Sequence, residues 1–104
     1  MTELGSAGSS GPNNVRTLST SEDISGGVSA RFPITVTSVY FNVGSGVELT
    51  IEVSTDGSTW FDVDESPISL SSAGDKTAYI DYDAQYVRVT ANDTTKVTAI
   101  AVGE

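Results

Sequence analysis

Carboxylates are the groups best suited to do chemistry in this 104-residue chain, because the usual nucleophiles and proton carriers are missing. It holds no histidine and no cysteine, which removes the commonest general base near neutral pH, the commonest zinc ligand and the thiolate. Its many serines cannot complete a hydrolase triad without a histidine, and no Gly-Lys-Ser or Gly-Lys-Thr phosphate loop occurs. The carboxylates gather as Asp56, Asp62, Asp64 and Glu65, and again as Asp81 and Asp83. Either group could offer oxygen to calcium. The first, however, lacks the ordered alternation and closing glutamate of an EF-hand loop, and Asp62 and Asp64, two apart on a strand, share one face. Both groups read as solvated acidic surface. Paired carboxylates can also hydrolyse glycosidic bonds, but one thin domain leaves little room for a cleft of a few hundred cubic ångströms. The expectation is a protein that is not an enzyme and needs no metal or cofactor.

Aromatic residues offer a second kind of chemistry. Trp60, Phe61, Tyr79, Tyr82 and Tyr86 could form a platform on which sugar rings stack. Trp60 and Phe61 are adjacent and point to opposite faces of a strand, so one of them is expected to fill the core. If Trp60 is the exposed member, it becomes an interface anchor. Asn92-Asp93-Thr94 matches the glycosylation sequon in an expected turn.

These residues sit on short β-like runs separated by turns, with no amphipathic helical pattern. Val47 to Ser54 alternates cleanly: Val47, Leu49, Ile51 and Val53 are expected to face a core, and Glu48, Thr50, Glu52 and Ser54 to face water. Ile34 to Val43 precedes it, and Gly44-Ser45-Gly46 has the length and composition of a hairpin loop pairing the two runs. Thr55-Asp56-Gly57-Ser58 reads as a turn into a second hairpin, with Thr59 to Asp64 as the return strand. Ser66-Pro67 ends that pairing, and Ile68 to Leu70 follows as a short edge. Lys76 to Tyr82, Tyr86 to Ala91 and Lys96 to Val102 complete the set. Turns every eight to twelve residues or so indicate an all-β fold, a single antiparallel β-sandwich of Ig-like or jelly-roll-like type. Residues 1–14, rich in glycine, serine, proline and asparagine, read as an extended arm ahead of a domain at 15–104.

Fourteen acidic residues against five basic ones give a net charge of −9. Such a surface repels nucleic acid and anionic lipid, so neither is an expected partner. Aspartate outnumbers glutamate and only Lys76 and Lys96 are lysines, a bias suited to strong brine, where screening suppresses repulsion between carboxylates. No apolar run is long enough to span a membrane. The N-terminus lacks the basic start and apolar stretch of a secretory signal, so an extracellular destination would imply leaving the cell within a particle.

The stretch Val47 to Val63, with Val-Ser-Thr-Asp-Gly-Ser-Thr-Trp-Phe-Asp-Val at its centre, the strand Tyr86-Val87-Arg88-Val89-Thr90-Ala91 and the closing run Val97 to Val102 together resemble the small β-sandwich proteins of tailed-virus particles. The resemblance implies a structural virion protein on the outer surface of the particle, as a capsid decoration, turret or tail accessory subunit. Its partners would be the major capsid protein or other virion subunits, and it would often form a trimer. The acidity adds the expectation of a halophilic archaeal host. Attachment is expected through the arm and its apolar anchors Leu4 and Val15, through Arg16 and Arg31 as scarce cations able to meet an acidic partner, and through Trp60. The alternative reading is a carbohydrate-binding β-sandwich module that touches a host surface.

Overall fold

The computed structural model of the protein describes residues 14–104. The expected arm, with Leu4, falls outside these residues except for Asn14, which already belongs to the first strand. Nine strands follow in order: β1 (Asn14–Asp23), β2 (Val28–Arg31), β3 (Val36–Val43), β4 (Val47–Ser54), β5 (Phe61–Asp62), β6 (Ile68–Leu70), β7 (Gly74–Tyr79), β8 (Tyr86–Ala91) and β9 (Lys96–Gly103). There is no helix among the described residues. One sheet has the order β1-β9-β3-β7 and the other β2-β8-β4-β5, with β6 also pairing with β4; all the pairings are antiparallel. The two sheets form the expected sandwich.

The core is a layer of β-branched and small side chains. On β8 and β9 every second residue is buried, from Val87, Val89 and Ala91 on one to Val97, Ala99 and Ala101 on the other. Leu49 and Ile51 from β4 and Val39 and Phe41 from β3 join the same cluster, with Phe32 fully enclosed. Each of the larger side chains among them, valine, leucine, isoleucine or phenylalanine, contributes about 1.5–3 kcal/mol through its burial.

Every connection except β4–β5 and β5–β6 crosses from one sheet to the other. This overturns the expected pairing of β3 with β4. Gly44-Ser45-Gly46 is an arch between the sheets: β3 pairs with β9 and β7, while β4 pairs with β8, β5 and β6. The arch is tied to the other crossing at the same end, where Ser45 Oγ lies 3.0 Å from Thr95 Oγ1 and the Gly44 N–H donates to the Lys96 carbonyl at 3.0 Å. A Cβ on Gly46 would come within 2.9 Å of the Ser71 carbonyl oxygen, so the arch also fits closely against the β6–β7 link. A hairpin and an arch both need an apolar alternation on each side of a short glycine loop, so that pattern does not distinguish them.

The second hairpin forms, with Glu52 opposite Asp62 and Val53 opposite Phe61, but its return strand is only Phe61–Asp62 where Thr59 to Asp64 was expected. The Val63 N–H still donates to the Ile51 carbonyl at 3.0 Å before the chain turns toward Ser66-Pro67, a cis peptide. There the Ile51 N–H donates to Ser66 Oγ at 2.7 Å, so a side chain completes the ladder in the gap before β6. Strand β7 stops at Tyr79, three residues short of the expected end at Tyr82, and the segment so released shapes the site below.

The C-terminus of β9 is the tightest point of the sandwich. A Cβ at Gly103 would lie 2.6 Å from the Phe32 ring and would also overlap the Thr35 carbonyl oxygen. Gly103→Ala is therefore expected to cost about 1–3 kcal/mol, read as a lower urea midpoint at unchanged slope. An unchanged midpoint would show that this seam yields without cost.

Candidate functional site

Two groups of aromatic residues lie outside the core. The first sits on the outer face of the second sheet and is built by the turn after β4. Asp56 Oδ1 accepts hydrogen bonds from the Ser58 and Thr59 N–H groups at 2.8 and 2.9 Å and from Ser54 Oγ at 3.0 Å. Ser54 Oγ accepts in turn from the Gly57 N–H at 2.8 Å. This explains why Ser54, expected to face water, is only 1 % exposed. Gly57 has a φ of +80°, and a Cβ there would lie 3.1 Å from the Tyr86 ring, so glycine serves both the backbone conformation and the close approach.

The turn delivers Trp60 edge-on to Tyr86, with ring centroids 6.5 Å apart. Arg88 lies 4.3 Å over the indole and pairs through Nε with Glu52 at 3.0 Å, and Arg31 lies 5.8 Å from the Tyr86 ring centroid. Two of the residues expected to bind a partner, Arg31 and Trp60, thus belong to one stack in which two adjoining rings, Tyr86 and Trp60, are each covered by an arginine. A cation held over a ring in this way contributes about 0.5–2 kcal/mol. The other two described candidates lie on the far edge of the first sheet. Arg16 is 5.3 Å from the Phe32 ring centroid and covers it, while Val15 is 62 % exposed on β1.

Neither Trp60 nor Phe61 fills the core, contrary to expectation. Trp60 is half-buried under Arg88. Phe61 stands on a two-residue edge strand at the open end of the sandwich and remains 62 % exposed.

Phe61 belongs to the second group, which surrounds Tyr82. Between β7 and β8 the chain is fastened at two buried residues, Ile80 and Ala84. The Ile80 N–H donates to the Thr37 carbonyl and the Val36 N–H to the Ala84 carbonyl, each at 2.9 Å. The three residues between, Asp81-Tyr82-Asp83, are exposed. Tyr82 is steadied by the Asp64 N–H, which donates to its hydroxyl oxygen at 3.2 Å. Hydrogen bonding to the Asp64 carboxyl and partial burial push the Tyr82 phenol above its ordinary pKa, so it keeps its proton.

Grooves open on both sides of this ring. One, of about 530 Å³, runs past Val53, Thr55, Phe61, Asp83 and Ala84; the other, of about 400 Å³, runs past Asp64, Glu65, Tyr79 and Asp81. Both are open grooves across the end of the sandwich, and neither is a cleft between the sheets. Flat aromatic faces beside carboxylate oxygens suit a polyhydroxylated ligand, whose C–H faces stack and whose hydroxyls donate. The segment 80–85 was hidden in the sequence by reading Lys76 to Tyr82 as a strand. Its signal is a polar Asp-Tyr-Asp held between the small apolar residues Ile80 and Ala84.

The acidic residues considered for calcium do not converge. Asp56 is committed to its own turn, and no group of three or more aspartate or glutamate side chains among the described residues is placed to hold a metal ion.

No protein-family model matches the chain, and no curated protein matches it. Among solved structures, CpGH89CBM32-6 produced by Clostridium perfringens superposes with a TM-score of 0.58 at 18 % identity, over 91 % of this chain and 80 % of that one. CBM32-1 from a family 31 glycoside hydrolase of Clostridium perfringens superposes with a TM-score of 0.50 at 14 % identity, over 89 % and 96 %. At these identities the likeness is one of fold, and both neighbours are carbohydrate-binding modules.

Three turn aspartates are held below their ordinary pKa by the fold. Backbone N–H donors hold Asp56 below its ordinary pKa, chiefly that of Thr59; Ser25 does the same for Asp23, and the Thr95 side chain and backbone for Asp93. A carboxyl lowered on folding stabilises the native state above its unfolded value, about 3.9, and that contribution is lost as pH falls through the lower folded value. The variant Asp23→Asn/Asp56→Asn/Asp93→Asn is expected to lose less stability than the parent between about pH 5 and pH 2, measured by thermal melts across that range. Parallel curves would show that these turns do not set the acid limb.

Proposed function

We propose that the protein is a carbohydrate-binding β-sandwich module whose ligand lies across the Tyr82 rim. The observation that carries this reading is the placement of Phe61, Tyr79 and Tyr82 at one end of the molecule, the first two 62 % and 73 % exposed, with no part in the core and with four carboxylates between them. Exposed rings are a cost to a soluble fold unless something covers them. The carbohydrate-binding fold neighbours support the same reading. The chemistry asked of the site is stacking and hydrogen bonding, and no bond is made or broken.

Trp60 acts here through the frame, since Arg88 occupies its face. On a glycan array, Tyr82→Ala and Phe61→Ala are each expected to weaken binding by at least about tenfold, the equivalent of about 1.4 kcal/mol, with unchanged circular dichroism. Tyr40→Ala, on the outer face of the first sheet, should bind as the parent does. Full binding by Tyr82→Ala would remove the rim from the proposal.

A second reading, a structural subunit on the outside of a virus particle, is supported by that same outer face. The strand register sets Val15, Val102, Ser38 and Tyr79 in one cross-strand row and Thr17, Ile100, Tyr40 and Thr77 in the next. Val15 and Tyr79 are well exposed, and Tyr40 is 47 % exposed. A packed neighbour would cover such a face. If this reading holds, Tyr40→Asp/Ile100→Asp should abolish co-sedimentation with particles while leaving glycan binding intact.

A further inference from the structure

The charge around the Tyr82 rim is one-sided. Asp64, Glu65, Asp81 and Asp83 all line its grooves, and no lysine or arginine does. The chain has five cationic side chains, and each is placed elsewhere. Arg88 is paired with Glu52 and stacked on Trp60; Arg31 lies over Tyr86 and Arg16 over Phe32. Lys76 stands on β7 opposite Phe41, and Lys96 opens β9 at the far end of the sandwich.

A uronate or sulfated sugar entering these grooves would therefore meet carboxylates with no compensating charge. A protonated amine would meet the opposite situation. Exposed phenyl and phenol rings attract a cation through their faces, and the flanking carboxylates accept its hydrogen bonds as charge-assisted contacts. Tyr82 adds no negative charge at neutral pH, because its phenol keeps its proton.

We propose that the rim selects glycans bearing free, protonated amino groups, such as runs of deacetylated glucosamine, over their N-acetylated and uronic-acid counterparts. This rests on the carbohydrate-binding reading of the same rim. The three ligand classes carry positive, neutral and negative charge respectively, while stacking on Phe61, Tyr79 and Tyr82 is available to all of them, so charge is the difference the rim carboxylates read. Selectivity of this kind weakens with salt, because the rim is open to solvent.

The test is calorimetric titration of the whole protein at pH 5.5 with hexamers of glucosamine, of N-acetylglucosamine and of galacturonic acid. The glucosamine hexamer is expected to bind at least about tenfold more tightly than the acetylated one, with no measurable heat from the uronate. Replacing the four rim carboxylates by their amides should erase that preference, while Tyr82→Ala should weaken both of the hexamers that bind. A control variant, Glu22→Gln/Asp23→Asn/Glu48→Gln/Asp93→Asn, removes the same formal charge from the other end of the sandwich and should leave the preference intact. Equal affinity for the two amino-sugar hexamers, or a preference for the uronate, would overturn the charge selection and leave the glycan site standing. Equal loss in the control variant would reduce the effect to the overall charge of the protein and overturn it too. If none of the three hexamers binds and a wider glycan array is also blank, the carbohydrate reading itself fails.

Discussion

Two sheets that share a single apolar layer must approach closely along their whole length, and at the end of β9 that closeness leaves no space for even one methyl group on Gly103. The architecture follows from this constraint. The layer is mostly valine and alanine with two phenylalanines, Phe32 and Phe41, and the strands that supply it alternate between the sheets at almost every connection. A chain that keeps crossing the layer places its polar backbone at the two ends, where loops must supply the hydrogen bonds that ladders supply elsewhere. Thr35 shows how fully they do so: its N–H donates to the Glu104 carbonyl, its carbonyl accepts from the Glu104 N–H, and its hydroxyl reaches the Ala84 carbonyl.

A core so thin has little space for large rings, and this governs where the aromatic residues go. Phe32 and Phe41 are accommodated inside; the tryptophan and the tyrosines are not. Of those left outside, Tyr40 stands on the outer face of the first sheet and the other five divide by partner. Trp60 and Tyr86 are covered by arginines and brace the outer sheet, whereas Phe61, Tyr79 and Tyr82 have no such cover and form the rim. The anchors at Ile80 and Ala84 matter as much as the rings, because they hold three exposed residues against a rigid frame. A site held in this way loses little conformational entropy when a ligand arrives.

Much of the fold was legible in the sequence because strand alternation is a local property. The run Val47 to Val53, the Asp56-Gly57 turn and the strand from Tyr86 to Ala91 are where their patterns put them. Sheet membership is not local, so the link from Val43 to Val47 read as a hairpin when it is an arch. The site was less legible. Its aromatic residues were recognisable as a possible platform, but which of them are exposed depends on cover from distant residues, as Arg88 covers Trp60. Two motifs within the segments that carried the viral resemblance, Asp56 to Trp60 and Tyr86 to Val89, meet in one packing unit around Gly57 and Tyr86. That unit serves the sandwich itself, and a sandwich can use it whatever task the molecule performs.

The stack of Arg31, Tyr86, Trp60 and Arg88 also has an optical consequence. Trp60 is the sole tryptophan of the chain, so its emission comes from one known environment, half-shielded from water and set between a guanidinium and a phenol ring. That environment exists only while the turn after β4 and strand β8 are both in place. Trp60 is the chain neighbour of Phe61, one of the rings of the rim. The native protein therefore carries an intrinsic, label-free reporter at the junction between its frame and its proposed binding surface.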